Sequence, residues 1–199
     1  MRTTSSRGTW RAVPDDFFWL NQPDFRFEQG ILSFSTSGGT DFWQRTHYGF
    51  SRDDGHAMLT SLSSNFTMSV KTSFEYKTQF DQCGLLLRID ALNWIKVGTE
   101  KEDSETNRLG SVVTNLGYSD WATSDIGSSI GEIWYKVKST ENDFIISSSL
   151  DGVVWTQMRI AHLHSRQRPI NAGIYACSPK EGGFSVEFSE LDIETETAD

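Results

Sequence analysis

Cysteine is scarce in this chain, because only Cys83 and Cys177 occur among its 199 residues and they lie far apart. A disulfide framework requires several cysteines at short spacings, and a zinc site of the paired-cysteine kind requires two close pairs. The sequence therefore supports neither, and we expect two buried free thiols. It predicts no metal ion and no cofactor.

Long hydrophobic runs are also missing from the sequence. No segment approaches the roughly 20 consecutive apolar residues that a membrane-crossing helix needs. Residues 1–8 lead into no hydrophobic signal region. We therefore expect a cytoplasmic protein without a membrane partner.

Positive charge is the third shortage. The 27 Asp and Glu residues outnumber the 18 Lys and Arg residues, which gives a formal net charge of −9. Proteins that bind nucleic acid neutralise its phosphates with clustered Lys and Arg side chains. The sequence therefore argues against a nucleic-acid partner, and nothing in it indicates an oligomeric state.

The chain does contain a regular alternation of apolar and polar residues between turn signals, and helical periodicity is nearly absent. The clearest alternation runs from Phe66 to Tyr76. Successive side chains of a strand point to opposite faces, so this pattern predicts half-buried antiparallel strands. Many such strands joined by short turns predict one all-β domain over residues 1–199, built as a sandwich or a barrel.

The other predicted strands are spread over the chain, and polar segments between them are predicted loops. These strands are Ile31–Ser35, Gly84–Asp90, Trp94–Glu100, Gly110–Asn115, Ile133–Ser139, Phe144–Ser149, Val153–Ile160, Asn171–Cys177 and Phe184–Ile193. Asp151-Gly152 is a turn signal. Glu102–Arg108 and Ser119–Ser129 are predicted loops, and we expect a frayed tail over about residues 194–199.

The first candidate site lies on two neighbouring predicted strands. Alternation places Arg88 on one face of its strand, and it places Trp94, Lys96 and Glu100 on one face of the next. If the strands pair as a hairpin, the four side chains cluster and suit a hydroxyl-rich ligand, with Trp94 stacking on its ring. The alternative is a solvated face whose cross-strand ion pairs contribute only about 0.2 to 1 kcal/mol each.

Two further aromatic stretches are candidate binding elements. Trp43, His47 and Tyr48 lie in one stretch, where strand alternation would place Trp43 and His47 on a shared face. Asp120 and Trp121 lie in a predicted loop that would present an aromatic ring beside a carboxylate. A lone histidine is more often structural, and this loop could equally cover the end of the sandwich.

One pattern is typical of an enzyme. Glu190, Asp192 and Glu194 alternate like the paired carboxylates of sandwich-fold glycoside hydrolases. Residues i and i+4 of a strand lie roughly 13 Å apart, whereas the carboxyl groups of a retaining pair lie about 5 Å apart. A final strand with its acids in water is the simpler interpretation. His162 and His164 could share a face, but no third metal ligand is evident.

Several short blocks, taken together, resemble a known family. They are Thr40-Asp41-Phe42-Trp43, Tyr48-Gly49-Phe50, Asp81-Gln82-Cys83-Gly84-Leu85, Trp94-Ile95-Lys96 with Glu100, Ser111-Val112-Val113-Thr114, Ser119-Asp120-Trp121 and Ser178-Pro179. The blocks span nearly the whole chain. They are similar to those of a concanavalin A-like family of unknown function that includes the fungal regulation of enolase proteins.

The resemblance implies a two-sheet antiparallel concanavalin A-like jelly-roll sandwich with a concave face. It also implies an intracellular location, no established catalytic activity and a regulatory link with enolase and carbohydrate metabolism. It transfers no binding residues.

We therefore expect a non-catalytic module that binds a carbohydrate or another metabolite, such as a saccharide or a sugar phosphate. The predicted ligand-binding residues are Trp43, His47, Tyr48, Arg88, Trp94, Lys96, Glu100, Asp120 and Trp121. One alternative is a regulatory module that binds another protein and has no small-molecule ligand. The other alternative is a glycoside hydrolase, although a shared fold alone does not establish that activity.

Overall fold

The computed structural model describes residues 4–6, 12–164 and 169–196, and within these ranges the chain forms strands and no helix. The strands are β1 Thr4–Ser6, β2 Phe17–Leu20, β3 Phe25–Glu28, β4 Ile31–Ser35, β5 Phe42–Gln44, β6 Ser51–Asp53, β7 His56–Leu62, β8 Phe66–Glu75, β9 Gln82–Asp90, β10 Asn93–Lys101, β11 Thr106–Asn115, β12 Tyr118–Gly127, β13 Glu132–Thr140, β14 Asp143–Ser149, β15 Thr156–His162, β16 Ile170–Cys177 and β17 Ser185–Glu196. The described part of the chain accordingly has no helix that could cross a membrane.

Most strands belong to two antiparallel sheets. The eight-stranded sheet has the order β15-β14-β13-β8-β17-β4-β3, with β1 also paired to β17. The seven-stranded sheet has the order β12-β11-β10-β9-β16-β7-β2. The predicted all-β two-sheet antiparallel sandwich is therefore confirmed.

The main core lies between the two sheets and follows the alternation of the sequence. Leu85, Leu87 and Ile95 of the seven-stranded sheet are fully buried in one cluster with Met68 and Val70 of the eight-stranded sheet. Fully burying one such side chain contributes about 1.5 to 3 kcal/mol. The opposite side chains of the seven-stranded sheet therefore point to its outer face.

A two-stranded ribbon of β5 and β6 covers part of that outer face. Phe42 of this ribbon is fully buried, and its ring centroid lies 6.2 Å from that of Trp94 and 6.0 Å from that of Tyr175. Leu86 and Cys177 belong to the same apolar cluster, which is the second of the structure. The outer face is consequently part core and part surface.

Two predictions about irregular segments were wrong. Ser119–Ser129 was expected to be a loop, but β12 pairs with β11 along its whole length from Tyr118 to Gly127. It is an edge strand that is mostly exposed on both faces, so its sequence lacks the apolar alternation of a half-buried strand. The predicted loop Glu102–Arg108 likewise ends early, because β11 begins at Thr106.

The expected frayed tail is also corrected in part. β17 continues to Glu196, and Glu194 and Thr195 pair with β8. The side chain of Asn65 donates to Glu196 Oε2 at 3.0 Å, which extends the strand beyond the apolar pattern that ends at Ile193. Residues 197–199 lie outside the described residues.

Replacing Phe42 should destabilise the protein strongly. Phe42→Ala removes a fully buried ring from the second apolar cluster, so we expect a loss of about 3 to 5 kcal/mol in the free energy of unfolding. Denaturant unfolding measures this loss. Phe50→Ala is the matched control, because Phe50 lies in the loop that joins β5 to β6, is 43% exposed and should cost far less stability when removed. Equal losses in both variants would contradict the packing described here.

Candidate functional site

Lys96 is a charged side chain that is buried on the outer face of the seven-stranded sheet, with 5% of its surface exposed. Its Nζ donates to Gln82 Oε1 at 2.6 Å and to Asp41 Oδ1 at 3.4 Å. Gln82 belongs to β9, whereas Asp41 directly precedes β5. The ammonium group therefore joins the sheet to the ribbon, and it is paired as a buried charge must be.

Asp41 is held in place by groups at the open end of the ribbon, where β5 begins and β6 ends. Its Oδ1 accepts the backbone N–H of Phe42 at 2.7 Å, and its own backbone N–H donates to Asp54 Oδ1 at 2.8 Å. Arg52 Nη1 donates to the other oxygen of Asp54 at 2.8 Å. The ribbon thus presents a carboxylate oxygen in a defined position toward Lys96.

Glu100 supplies the second carboxyl group of this cluster and is partly buried. Gln82 Nε2 donates to Glu100 Oε2 at 3.0 Å and to Asp41 Oδ1 at 3.4 Å. Burial raises the pKa of Glu100 to about 8, while the Lys96 ammonium opposes the rise and the Asp41 carboxylate adds to it. At neutral pH most Glu100 side chains are therefore protonated and can donate a hydrogen bond as well as accept one.

These four side chains, Asp41, Gln82, Lys96 and Glu100, border a cavity of about 620 Å³ and are called the polar floor. Most of the remaining lining is apolar or aromatic. The walls include Trp43, Tyr48, Phe50, Phe80, Val112 and Trp121. A concave site with apolar walls and a few fixed polar groups is the usual form of a small-molecule binding site.

The loop between β5 and β6 forms part of the wall, and its backbone is strained. Arg45 and His47 have φ angles of 54° and 61°, in the left-handed region that costs an L-residue roughly 1 to 2 kcal/mol. The backbone N–H of Gln44 donates to Ser119 Oγ at 2.9 Å. The loop is therefore anchored to β12, the strand that carries Trp121.

A second cavity of about 370 Å³ adjoins the first. Trp43, Tyr48 and Trp121 line both cavities, whereas His47 and Asp120 line only the second. The rings of Trp43 and Tyr48 lie 5.4 Å apart at an angle of 62°. These aromatic side chains form a wall that the two cavities share.

Most of the predicted ligand-binding residues border these cavities. Five of them line the larger cavity, namely Trp43, Tyr48, Lys96, Glu100 and Trp121. The second cavity adds His47 and Asp120. The three sequence stretches that carry them therefore converge, although their binding of a ligand stays a prediction.

Trp94 and Arg88 occupy the predicted sheet face, but they line neither cavity. Trp94 is fully buried beneath Phe42 and its Nε1 donates to the carbonyl of Ala91 at 3.2 Å, so the expectation that it stacks on a ligand is wrong. Arg88 Nη2 pairs with Asp53 Oδ2 at 2.6 Å. Both side chains hold the ribbon against the sheet.

Sequence reasoning missed two members of the polar floor. Gln82 lies directly opposite Glu100 in the β9–β10 pairing, so the alternation that selected Glu100 could also have found Gln82. Asp41 gives no such signal, because it lies outside a strand and reaches Lys96 only when the ribbon folds over the sheet.

The acidic residues near the end of the chain lie elsewhere. Glu190, Asp192 and Glu194 belong to β17 in the eight-stranded sheet and line neither cavity. Ile193 points into the main core, so its neighbours Asp192 and Glu194 face away from the seven-stranded sheet. This placement gives the hydrolase alternative no support at these residues.

His162, at the end of β15, and His164, which follows the strand, are the candidate metal ligands from the sequence. His162 Nδ1 lies 2.6 Å from Asp143 Oδ1, and the rings of His162 and His164 lie 5.4 Å apart. Across residues 4–6, 12–164 and 169–196, no group of three or more His, Cys, Asp or Glu side chains is placed to hold a metal ion.

The fold and the cavities define this protein as a concanavalin A-like jelly-roll sandwich with an aromatic-walled site on the outer face of one sheet. Its sequence matches the model of the family described as protein of unknown function DUF1349 over residues 19–196, and the chain belongs to this family. The recognised resemblance is therefore confirmed.

Three comparisons with known proteins show how far this likeness extends. The chain is 37% identical to regulation of enolase protein 1 of Saccharomyces cerevisiae over 88% of this chain and 87% of that protein. A crystal structure of a functionally unknown protein from the same yeast has a TM-score of 0.85 at 34% identity, covering 92% and 98% of the two chains. The GH43 protein BlXynB from Bacillus licheniformis shares the fold alone, with a TM-score of 0.72 at 12% identity over 95% of this chain and 38% of that one.

The stability of the fold should depend on pH through Glu100. Because folding raises its pKa from 4.5 to about 8, protonated Glu100 contributes stability that is fully present below pH 4.5 and is lost as the pH rises toward about 8. Glu100→Gln cannot ionise, so we expect it to gain stability relative to the wild type across this interval. Urea unfolding at several pH values measures the difference, and a difference that is independent of pH would contradict this assignment.

Proposed function

We propose that this protein binds a carbohydrate in the 620 Å³ cavity and catalyses no reaction there. The observation that carries the proposal is the combination of a buried polar floor with aromatic walls. A sugar ring has an apolar face that can stack on an aromatic ring, and its hydroxyl groups require fixed donors and acceptors. Tyr48 and Trp121 are 56% and 37% exposed, so their rings are accessible for such stacking.

The hydrogen-bonding capacity of the polar floor supports a hydroxyl-rich ligand. The Lys96 ammonium has three N–H donors, and its contacts with Gln82 and Asp41 use two of them. Protonated Glu100 adds an O–H donor next to the oxygen that accepts from Gln82. A ligand hydroxyl can therefore meet both donors and acceptors at the floor.

The charges around the cavity favour a neutral saccharide over a sugar phosphate. Lys96 already faces Asp41, and Arg52 pairs with Asp54. Lys180 at the rim donates to Gln79 Oε1 at 2.7 Å. Each cation of the lining thus has a protein partner, and a phosphate group would have to compete for it.

The contacts of Asp41 support binding rather than hydrolysis. Glycoside hydrolases use two carboxyl groups that flank the scissile bond, one of which must reach the sugar carbon or a water molecule. Asp41 Oδ1 already accepts the N–H of Phe42 and lies within 3.4 Å of both Gln82 Nε2 and Lys96 Nζ. Asp41 Oδ1 is thus engaged by protein groups, and Glu100, whose pKa is raised by burial, is the other carboxyl group of the polar floor.

The proposal includes a cytoplasmic location and a part in the regulation of carbohydrate metabolism. Cys83 and Cys177 are buried free thiols, which is usual in a reducing compartment. The yeast relative is named for the regulation of enolase, and sugar binding by this chain would suit a similar role. The net charge of −9 continues to disfavour nucleic acid.

Variants of the cavity should separate binding from folding. We expect Trp121→Ala and Lys96→Met each to weaken saccharide binding by about tenfold or more, because each removes a central contact. Isothermal titration calorimetry with xylotriose, cellotriose and maltotriose measures the affinities, and circular dichroism checks that each variant folds.

The matched controls for these variants lie on the other sheet. The Nζ of Lys71 lies 4.8 Å from the ring of Trp134, and neither residue lines either of the two cavities described above. Trp134→Ala and Lys71→Met should therefore bind as the wild type does. Binding that survives in both cavity variants, or that is lost equally in the controls, would overturn the proposal.

A second candidate function is contact with another protein. In the connection between β14 and β15, the side chains of Leu150, Val153 and Val154 are 64%, 78% and 69% exposed. Clusters of exposed apolar side chains are typical of interaction surfaces. Because the yeast relative is named for the regulation of enolase, we propose enolase as the partner of this surface.

Purified enolase tests this second candidate directly. We expect biolayer interferometry to detect binding to the wild type and a loss of about tenfold or more with Val153→Asp and Val154→Asp combined. Trp121→Ala should leave this binding unchanged, because Trp121 lies at the cavities. If purified enolase does not bind the wild type, this candidate is removed.

A further inference from the structure

The second cavity is a separate space beside the first, and the carbohydrate-binding proposal leaves it without a role. Its volume of about 370 Å³ lies within the range of small-molecule binding sites. It is bordered by the aromatic wall that the larger cavity also uses, formed by Trp43, Tyr48 and Trp121. Any elongated ligand that lies over this wall would therefore contact both cavities.

The shared wall is fixed at its base and open at its top. Trp43 is 7% exposed, and its Nε1 donates to the carbonyl of Thr46 at 3.0 Å. The rings of Tyr48 and Trp121 are the exposed part of the wall. A ligand can consequently pass over these two rings without displacing the buried base.

The two cavities differ in the polar groups that they offer. The larger cavity has the buried polar floor, whose side chains are held by one another. The second has exposed groups, namely His47, whose ring lies 4.8 Å from that of Tyr48, and Asp120, which pairs with Arg159 at 3.0 Å. The larger cavity is thus suited to hold the terminal sugar ring of a chain, and the shallower second cavity is suited to support the following sugar ring.

We propose that the two cavities are consecutive subsites for a neutral oligosaccharide of two or more rings, with its terminal ring on the polar floor and the following ring between His47 and Asp120. This inference rests on the proposed carbohydrate binding. It names the ligand class as a chain of sugars rather than a single sugar.

The affinity for sugars of increasing length tests the inference. The probes are xylose with xylobiose, and glucose with cellobiose and maltose, each titrated by calorimetry against the wild type. We expect at least one disaccharide to bind about tenfold or more tightly than its own monosaccharide, since the second ring gains its own contacts. Equal affinities within every series would overturn the inference and leave carbohydrate binding intact, whereas no binding by any sugar would remove both.

A double variant of the second cavity provides the sharper test. His47→Gly combined with Asp120→Ala removes both polar side chains, and glycine fits the φ of 61° at position 47. We expect it to lower disaccharide affinity about tenfold and to leave monosaccharide affinity within about twofold. Lys96→Met should weaken both.

The control is another exposed His and Asp pair that lines neither cavity. His162 and Asp143 lie 2.6 Å apart, and His162→Ala combined with Asp143→Ala should change neither affinity. If the variant of the second cavity weakens the monosaccharide as much as the disaccharide, the two cavities are not consecutive subsites.

Discussion

A buried ammonium group must be paired, and this requirement at Lys96 governs how the outer face of the seven-stranded sheet is covered. On the sheet itself the polar neighbours Gln82 and Glu100 belong to the same cluster as Lys96, and Glu100 is mostly protonated at neutral pH. The compensating charge comes from Asp41, which lies at the start of the ribbon. Removing one partner of a buried ion pair typically costs about 3 to 5 kcal/mol. The ribbon is thus positioned over the sheet by two contacts, the apolar packing of Phe42 and the ion pair of Asp41.

This arrangement divides the site between regular and irregular structure. The polar floor lies mainly on β9 and β10, where cross-strand pairing sets Gln82 opposite Glu100. The aromatic wall that both cavities share comes from Trp43 of β5, Tyr48 of the following loop and Trp121 of β12. Ser119 of β12 accepts the backbone N–H of Gln44 and so joins these parts. Groups on paired strands keep a precise geometry, whereas connections can change in shape with little effect on the sheet. In the proposed binding, the polar floor would therefore set the orientation of the ligand, and the wall would determine which ligand shapes fit.

The sequence predicts the parts of this structure that follow from the alternation of side chains between the two faces of a strand. Alternation identified the core side of β9 and β10, and with it the outward direction of Lys96 and Glu100. It could not show that the ribbon folds over the same face, because that packing joins residues far apart in the chain. For this reason Trp94 was expected on the surface and is buried, while Asp41 was not selected. β12 was missed because an edge strand in water needs no apolar face.

The two left-handed residues of the β5–β6 loop have a consequence for attempts to make the protein more heat-resistant. Glycine at position 45 or 47 would relieve the backbone, which makes both positions targets for stabilising substitutions. The same exchange would delete the guanidinium of Arg45, which lies 5.6 Å from the ring of Tyr118, or the imidazole that borders the second cavity. Thermal robustness and the shape of the wall therefore compete at these positions, and a stabilised form should be engineered in the eight-stranded sheet instead.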